Sequence, residues 1–212
     1  MTGSGTRDGL LPGDARLLER AVRYALAAAE PVRTEYLSRP TPCRGWDLRM
    51  LLLHASESLT ALAEGLGDGA IALQPQPQPQ AGQPAADPAL AFRSRARALI
   101  VACGDRVWRP EVIAIADCHI ATAVLIAAGA LEIAVHGWDI AQACANRREI
   151  PPALAAELLE VAPVLITDAD RDQLFAPPAL VPAAASPSDR LAAFLGRSLT
   201  GSGDAAQLAV EV

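Results

Sequence analysis

A chain of 212 residues that is 51% hydrophobic is long enough to bury a sizeable core, and it fits one globular domain with decorations better than two. Its net charge of −6, without any run of Lys or Arg, offers phosphate backbones and anionic lipid no surface to hold, so neither nucleic acid nor membrane is an expected partner. Cys43, Cys103, Cys118 and Cys144 lack the CxxC pairing of a zinc ribbon or thioredoxin motif and read mostly as small hydrophobes in a reducing compartment.

The N-terminal MTGSGTRDGLLPGD is small and polar and lacks the apolar core of a signal peptide; residues 1–13 are expected to be disordered and the protein cytoplasmic. A first helix is predicted from Asp14 as N-cap through LLERAVRYALAAAE towards Tyr36. Pro40 and Pro42 close the connection that follows, and a second helix opens at Asp47. Its Leu48, Leu52, Ala55, Leu59, Leu62 and Leu66 recur at three- and four-residue steps, and Gly65 and Gly67 lie near its end. Residues 74–88, QPQPQPQAGQPAADP, form a Pro-rich surface loop. A third helix is predicted over 88–103, a fourth and longest over 117–145, a fifth over PPALAAELLEVAPVL with Pro151 and Pro152 at its start, and a short closing helix over 189–198. Residues 199–212 are expected to be a flexible tail. Helix formers dominate and no segment alternates with a two-residue period, so the expected fold is all-α, an antiparallel four-helix bundle with short C-terminal extra helices. The most apolar stretch, 112–135, is interrupted by Asp117, His119 and Glu132; what remains uncharged is short of the ~20 residues of a membrane span and reads as a buried helix.

That apolar helix carries Glu132 and His136. Four residues apart on a helix means about 40° of rotation and about 6 Å of rise, so the two side chains project from one face and can chelate one ion. The pair alone is a weak signal, but a carboxylate and an imidazole on a largely apolar helix need a charge partner, and a divalent cation satisfies both. The chain holds three histidines. His119, about 25 Å from His136 if one straight helix contains both, is too far to join them. His54 lies at the edge of the apolar stripe of the second helix, where a satisfied core histidine is the alternative.

TPCRGWDLRMLLLH (41–54) together with ALEIAVHGWDIAQA (130–143) resembles the N-terminal metal-binding domain of the mycothiol-dependent maleylpyruvate isomerases, within the DinB-like superfamily of four-helix bundles. DQLFAPPALVPAAASPSDRLAAFLGR (172–197) is similar to the closing segment of metal-binding actinobacterial proteins of that superfamily, so the resemblance covers about 14–197. It implies a DinB-like domain over 14–198 and carries the family's His, Glu and His ligands onto His54, Glu132 and His136. It implies a divalent metal, zinc with nickel as the alternative, and mycothiol as cosubstrate. Trp46 and Trp138 are core packing or substrate contacts. Asp139 is either a hydrogen-bond partner that fixes the His136 tautomer or a solvated or capping carboxylate, and Glu57 is an extra ligand or a base. Arg44 and Arg49 are the cations nearest the supposed site and the candidates, with Trp46, to meet an anionic substrate or cosubstrate, with plain surface positions as the alternative. The expected function is a metal-dependent enzyme, monomeric or homodimeric, that activates a low-molecular-weight thiol for S-transfer or thiol-assisted isomerisation of a small electrophile. Maleylpyruvate itself is not the expected substrate, because no clear second domain follows the fifth helix. A hydrolase or lyase with Glu57 or Asp139 as base, and a non-catalytic binding protein, are the alternatives.

Overall fold

Leucine and alanine at helical spacing drive the first element of the computed structural model, which describes residues 15–72, 87–104, 111–167, 171 and 175–198. Helix α1 (Ala15–Ala29) turns Leu17, Leu18, Ala21, Val22, Tyr24, Ala25, Ala28 and Ala29 into the core. It stops short of the expected continuation to Tyr36: Pro31 has no N–H to donate and its ring disfavours helical geometry at Glu30. Only a single 3₁₀ turn (Thr34–Tyr36) follows. The expected Asp14 cap, the segments expected to be disordered or flexible at 1–13 and 199–212, and nearly all of the 74–88 loop lie outside the described residues.

Helix α2 (Leu48–Asp68) starts where Asp47 caps it by accepting a 2.8 Å hydrogen bond from the Met50 N–H. Gly65 and Gly67 lie in its last turn as expected, and Gly69, which takes the left-handed conformation at φ 74°, closes it. Helix α3 (Pro88–Gly104) matches expectation.

The purely helical expectation needs correction at 112–121. Strand β1 (Ala70–Ile71) pairs in parallel with β2 (Val112–Ile115), and β2 pairs antiparallel with β3 (Cys118–Ala121), with Ile113 opposite Ile120 and Ala114 opposite His119. Val112, Ile113, Ile115 and Ile120 are β-branched, which favours the pleated surface, and Ala116 (φ 48°) and Asp117 make the turn. The expected long helix over 117–145 therefore begins at Thr122, and His119 sits on a strand.

Helix α4 (Thr122–Ala143) is the most buried element. It is long and apolar enough to cross a membrane, yet 72% of its most apolar window is buried within the protein, as in a core helix. Helix α1 packs against α3 and α4, and α2 packs against the same two. At Gly137 a Cβ would meet the Ala25 Cα at 2.8 Å, so α1 and α4 touch nearly backbone to backbone beside His136. Helix α5 (Pro152–Leu165) packs on α4 and carries α6 (Pro187–Phe194). That last helix starts earlier and stops earlier than the expected 189–198: Ser186 caps it by accepting from the Asp189 N–H, Pro187 occupies its first turn, and Gly196 at φ 77° ends it.

Candidate metal centre

Packing of α2 on α4 brings His54 to the pair that one turn of α4 presents. His54 Nε2 lies 3.2 Å from Glu132 Oε1, and the His54 and His136 rings meet edge to face with centroids 5.1 Å apart. The donor atoms of His54, Glu132 and His136 all lie within 4.8 Å of one another. The side chains of His54 and Glu132 are 38% and 40% exposed whereas that of His136 is 12% exposed, so the cluster opens to solvent on the His54 and Glu132 side.

Each member is held by further groups. Ser58, one turn beyond His54 on α2, donates its hydroxyl to Glu132 Oε1. Burial alone would raise the Glu132 pKa, but the hydrogen bonds from His54 and Ser58 and the charge of His136 prevail and hold it below the usual carboxylate range. On the inner side, His136 Nδ1 lies 3.2 Å from Asp139 Oδ2, and Asp139 is completely buried. Arg197 grips that carboxylate at two points, Nη2 to Oδ2 at 2.9 Å and Nε to Oδ1 at 3.3 Å. Burial opposes ionisation of Asp139, and the His136 hydrogen bond and the Arg197 charge overcome it, so it too titrates below its ordinary range. An ionised carboxylate only accepts hydrogen bonds. Nδ1 of His136 is therefore the donor in this contact, and in the neutral ring it is Nε2 that carries the lone pair.

Cys43 stands beside these groups, its Sγ 3.1 Å from Asp139 Oδ2 and 3.9 Å from His136 Nδ1. Burial first, then the Asp139 charge, push its thiol up to about 12, so it stays protonated and donates to Asp139. Cys43, His136 and Asp139 also fall within ligand distance of one another. The Arg197 guanidinium, in contact with both Asp139 and Cys43, already supplies the cation there. The outer cluster of His54, Glu132 and His136 is the one with room for a metal charge.

Trp46 is placed by a tight turn: its N–H donates to the Cys43 carbonyl, and its carbonyl accepts from the Thr41 N–H and hydroxyl. The indole then lies edge-on to His54 at 4.8 Å between centroids and roughly parallel to His136 at 6.5 Å. Glu57, Arg44 and Arg49 are exposed, and no hydrogen bond or ion pair ties their side chains to the cluster among the described residues. His119 and Cys118 are exposed on β3, Cys103 is buried on α3, and Cys144 is half-buried at the end of α4.

Residues 18–141 match the mycothiol maleylpyruvate isomerase N-terminal domain family, which is more than half of the chain. The chain belongs to that family. It is also similar to two proteins of Mycobacterium tuberculosis, uncharacterized protein Rv0738 of strain H37Rv and uncharacterized protein MT0763 of strain CDC 1551 / Oshkosh. Each is 29% identical over 183 residues, which is 85% of this chain and 96% of theirs. No solved structure matches the chain.

The family region holds His54, Glu132, His136, Asp139, Cys43, Trp46 and Ser58, while Arg197 lies beyond it. Sequence reasoning missed three of the groups around the cluster. Ser58 was findable as the residue one turn beyond His54. Cys43 carried a signal in its place within TPCRGWD, but was read as a small hydrophobe. Arg197 carried none, because its partner Asp139 is 58 residues away along the chain.

Proposed function

We propose that this member of the mycothiol-related family is a metal-dependent enzyme that activates a low-molecular-weight thiol, mycothiol, for S-transfer to, or thiol-assisted isomerisation of, a small electrophile. The observation that carries the proposal is the convergence of two imidazoles and a carboxylate within 4.8 Å, with Asp139 behind His136 to fix its tautomer. His54, Glu132 and His136 would hold the ion, zinc by preference for this nitrogen and oxygen set, and leave a position facing solvent. When bound, the ion supplies the Lewis acidity that keeps a thiol sulfur as thiolate near neutral pH.

The chain's own residues prepare that position. Ser58 orients the Glu132 carboxylate, which stays ionised and ready as a ligand. Asp139 keeps the proton on Nδ1 of His136 and so presents Nε2. Trp46 covers one side of both imidazoles and limits the access of water. The raised pKa of Cys43 keeps it from competing as a nucleophile, so the reactive sulfur comes from outside the chain. The packing of α1 and α2 on both α3 and α4 supports a DinB-like antiparallel bundle as the scaffold, and the acidic surface supports a cytoplasmic enzyme of small molecules.

Metal analysis of protein purified without a His tag is expected to find about one divalent ion per chain, and a loss of it in His54→Ala, Glu132→Ala and His136→Ala. Cobalt-substituted protein is expected to show a thiolate-to-cobalt charge-transfer band on addition of mycothiol, absent in His136→Ala. Unchanged metal content in all three variants refutes the ligand set. A cobalt spectrum indifferent to millimolar thiol refutes the thiol chemistry and returns the site to a hydrolase or a binding protein.

A further inference from the structure

Arg197 sits outside the family region, in the turn that ends α6, yet its side chain reaches the inner side of the cluster. The turn is built to aim it. The Gly196 N–H donates to Ala193 O and the Arg197 N–H to Ala192 O, both at 2.9 Å, the paired bonds of a helix C-terminus closed by a left-handed glycine. Any side chain at Gly196 would collide with the Ala176 carbonyl, since a Cβ there would come within 2.5 Å of its oxygen. The start of α6 is tied down as well: the Ile150 N–H donates to Ser188 Oγ at 3.0 Å. Both ends of this short helix are thus fixed against the rest of the chain.

Four of the five guanidinium N–H groups are directed at protein atoms. Nε and Nη2 hold the two oxygens of Asp139, Nη1 donates to Leu195 O at 3.0 Å, and Nη2 also contacts Cys43 Sγ at 3.5 Å. Its side chain is 10% exposed and the carboxylate it grips is fully buried. A fork held at two points fixes both the position and the plane of the carboxylate, which a single contact would not. The same Oδ2 that receives Nη2 faces Nδ1 of His136. Rotation of the Asp139 carboxylate would therefore release the imidazole.

We propose that Arg197 is a positioning residue of the metal centre: it locks Asp139, Asp139 locks the His136 ring in the Nδ1–H tautomer, and the turn that closes α6 is thereby part of the site. The consequence for metal binding rests on the function proposed above, whereas the effect on the ring does not. Two measurements separate them. In metal-free protein, with ¹⁵N-labelled histidine and at a pH where the ring is neutral, wild-type His136 is expected to show one tautomer by long-range ¹H–¹⁵N correlation, and Arg197→Ala a mixture of both. In cobalt titrations against a chromophoric chelator, Arg197→Ala is expected to bind about ten- to a hundredfold more weakly than wild type, the range seen when a ligand's hydrogen-bond partner is lost. Arg197→Lys keeps a cation opposite the buried carboxylate and so protects folding, but it lacks the fork; it is expected to bind cobalt at least about threefold more weakly than wild type, between the other two proteins. Where Arg197→Ala does not fold, Arg197→Lys decides. Variants that fold, keep the single tautomer and bind cobalt as wild type does would overturn the proposal. If wild type binds no cobalt, the metal reading fails and the tautomer comparison alone decides the role of Arg197.

Discussion

Replacing Gly137 by Ala sets two effects of known sign against each other. In a helix interior Ala is favoured over Gly by about 0.8–1 kcal/mol. Against that, the new Cβ would lie 2.8 Å from the Ala25 Cα, 2.9 Å from its Cβ and 3.1 Å from Tyr24 Cε1. Carbon atoms rest at about 3.5–4.0 Å, so α1 and α4 must part by roughly 0.7–1.2 Å, and the first obstacle is backbone that no rotamer change can move. Overpacking of this kind costs about 1–3 kcal/mol, and the rigid neighbour argues for the upper half of that range. The net loss is then about 1–2 kcal/mol, which for a chain of this size lowers Tm by about 2–8 °C. Gly67→Ala is the matched control. Gly67 is exposed within α2 and a Cβ there meets nothing within 4 Å, so only the propensity gain operates and a stabilisation of about 0.5–1 kcal/mol is expected. Thermal denaturation followed by circular dichroism reads both. Equal or same-sign shifts for the two variants would show that α1 and α4 do not approach as described.

Thiol reactivity should follow burial and pKa. Exposed Cys118 is expected to alkylate first, while Cys43 and Cys103, raised to about 12 and about 11, react only when the protein is unfolded. At pH 8 a thiol with a pKa near 12 is ionised in roughly one molecule in ten thousand, and peptide mapping after brief iodoacetamide treatment that found Cys43 labelled as fast as Cys118 would contradict its described surroundings. The folded-state pKa of Asp139 is depressed, so its contribution to stability is present in full above the unfolded value of about 3.9 and is lost as pH falls through the folded value. In metal-free protein the Tm advantage of wild type over Asp139→Asn is therefore expected to hold at pH 7 and to narrow progressively below about pH 4; an advantage independent of pH would mean that Asp139 is not an ionised partner of Arg197.

What the sequence made legible is local or is spaced by the helix repeat. Asp47 before an apolar period of three and four located the start of α2, and Pro151 and Pro152 located α5. Glu132 and His136 are readable because one turn of helix puts them side by side, and a chain with three histidines leaves few partners for them. The hairpin at 112–121 was not legible: a short apolar run without alternation suits a buried helix and a small sheet equally, and here β-branching and the Ala116-Asp117 turn prevailed. Asp139 was within reach of reasoning as the residue three beyond His136. Its burial was not, since that depends on where α6 and its closing turn pack.

Charge ties the two sides of the site together. Asp139 and Arg197, both buried, cancel each other at contact distance, so the inner side presents the imidazole with a net neutral pair. Glu132 remains as the one carboxylate of the outer cluster, half-exposed and kept ionised by its hydrogen bonds to His54 and Ser58. A divalent ion held there would keep one net positive charge facing the open side. In surroundings built from the apolar flanks of α2 and α4, such a charge favours a single anionic ligand over a neutral one by more than it would in water. A thiol that binds by giving up its proton fits that balance. Were Asp139 left without Arg197, a second negative charge would stand behind His136, the ion would be neutralised by the protein alone, and the preference for an anionic ligand would fall away. The arginine in the turn after α6 thus bears on what the open position accepts as well as on how His136 is held.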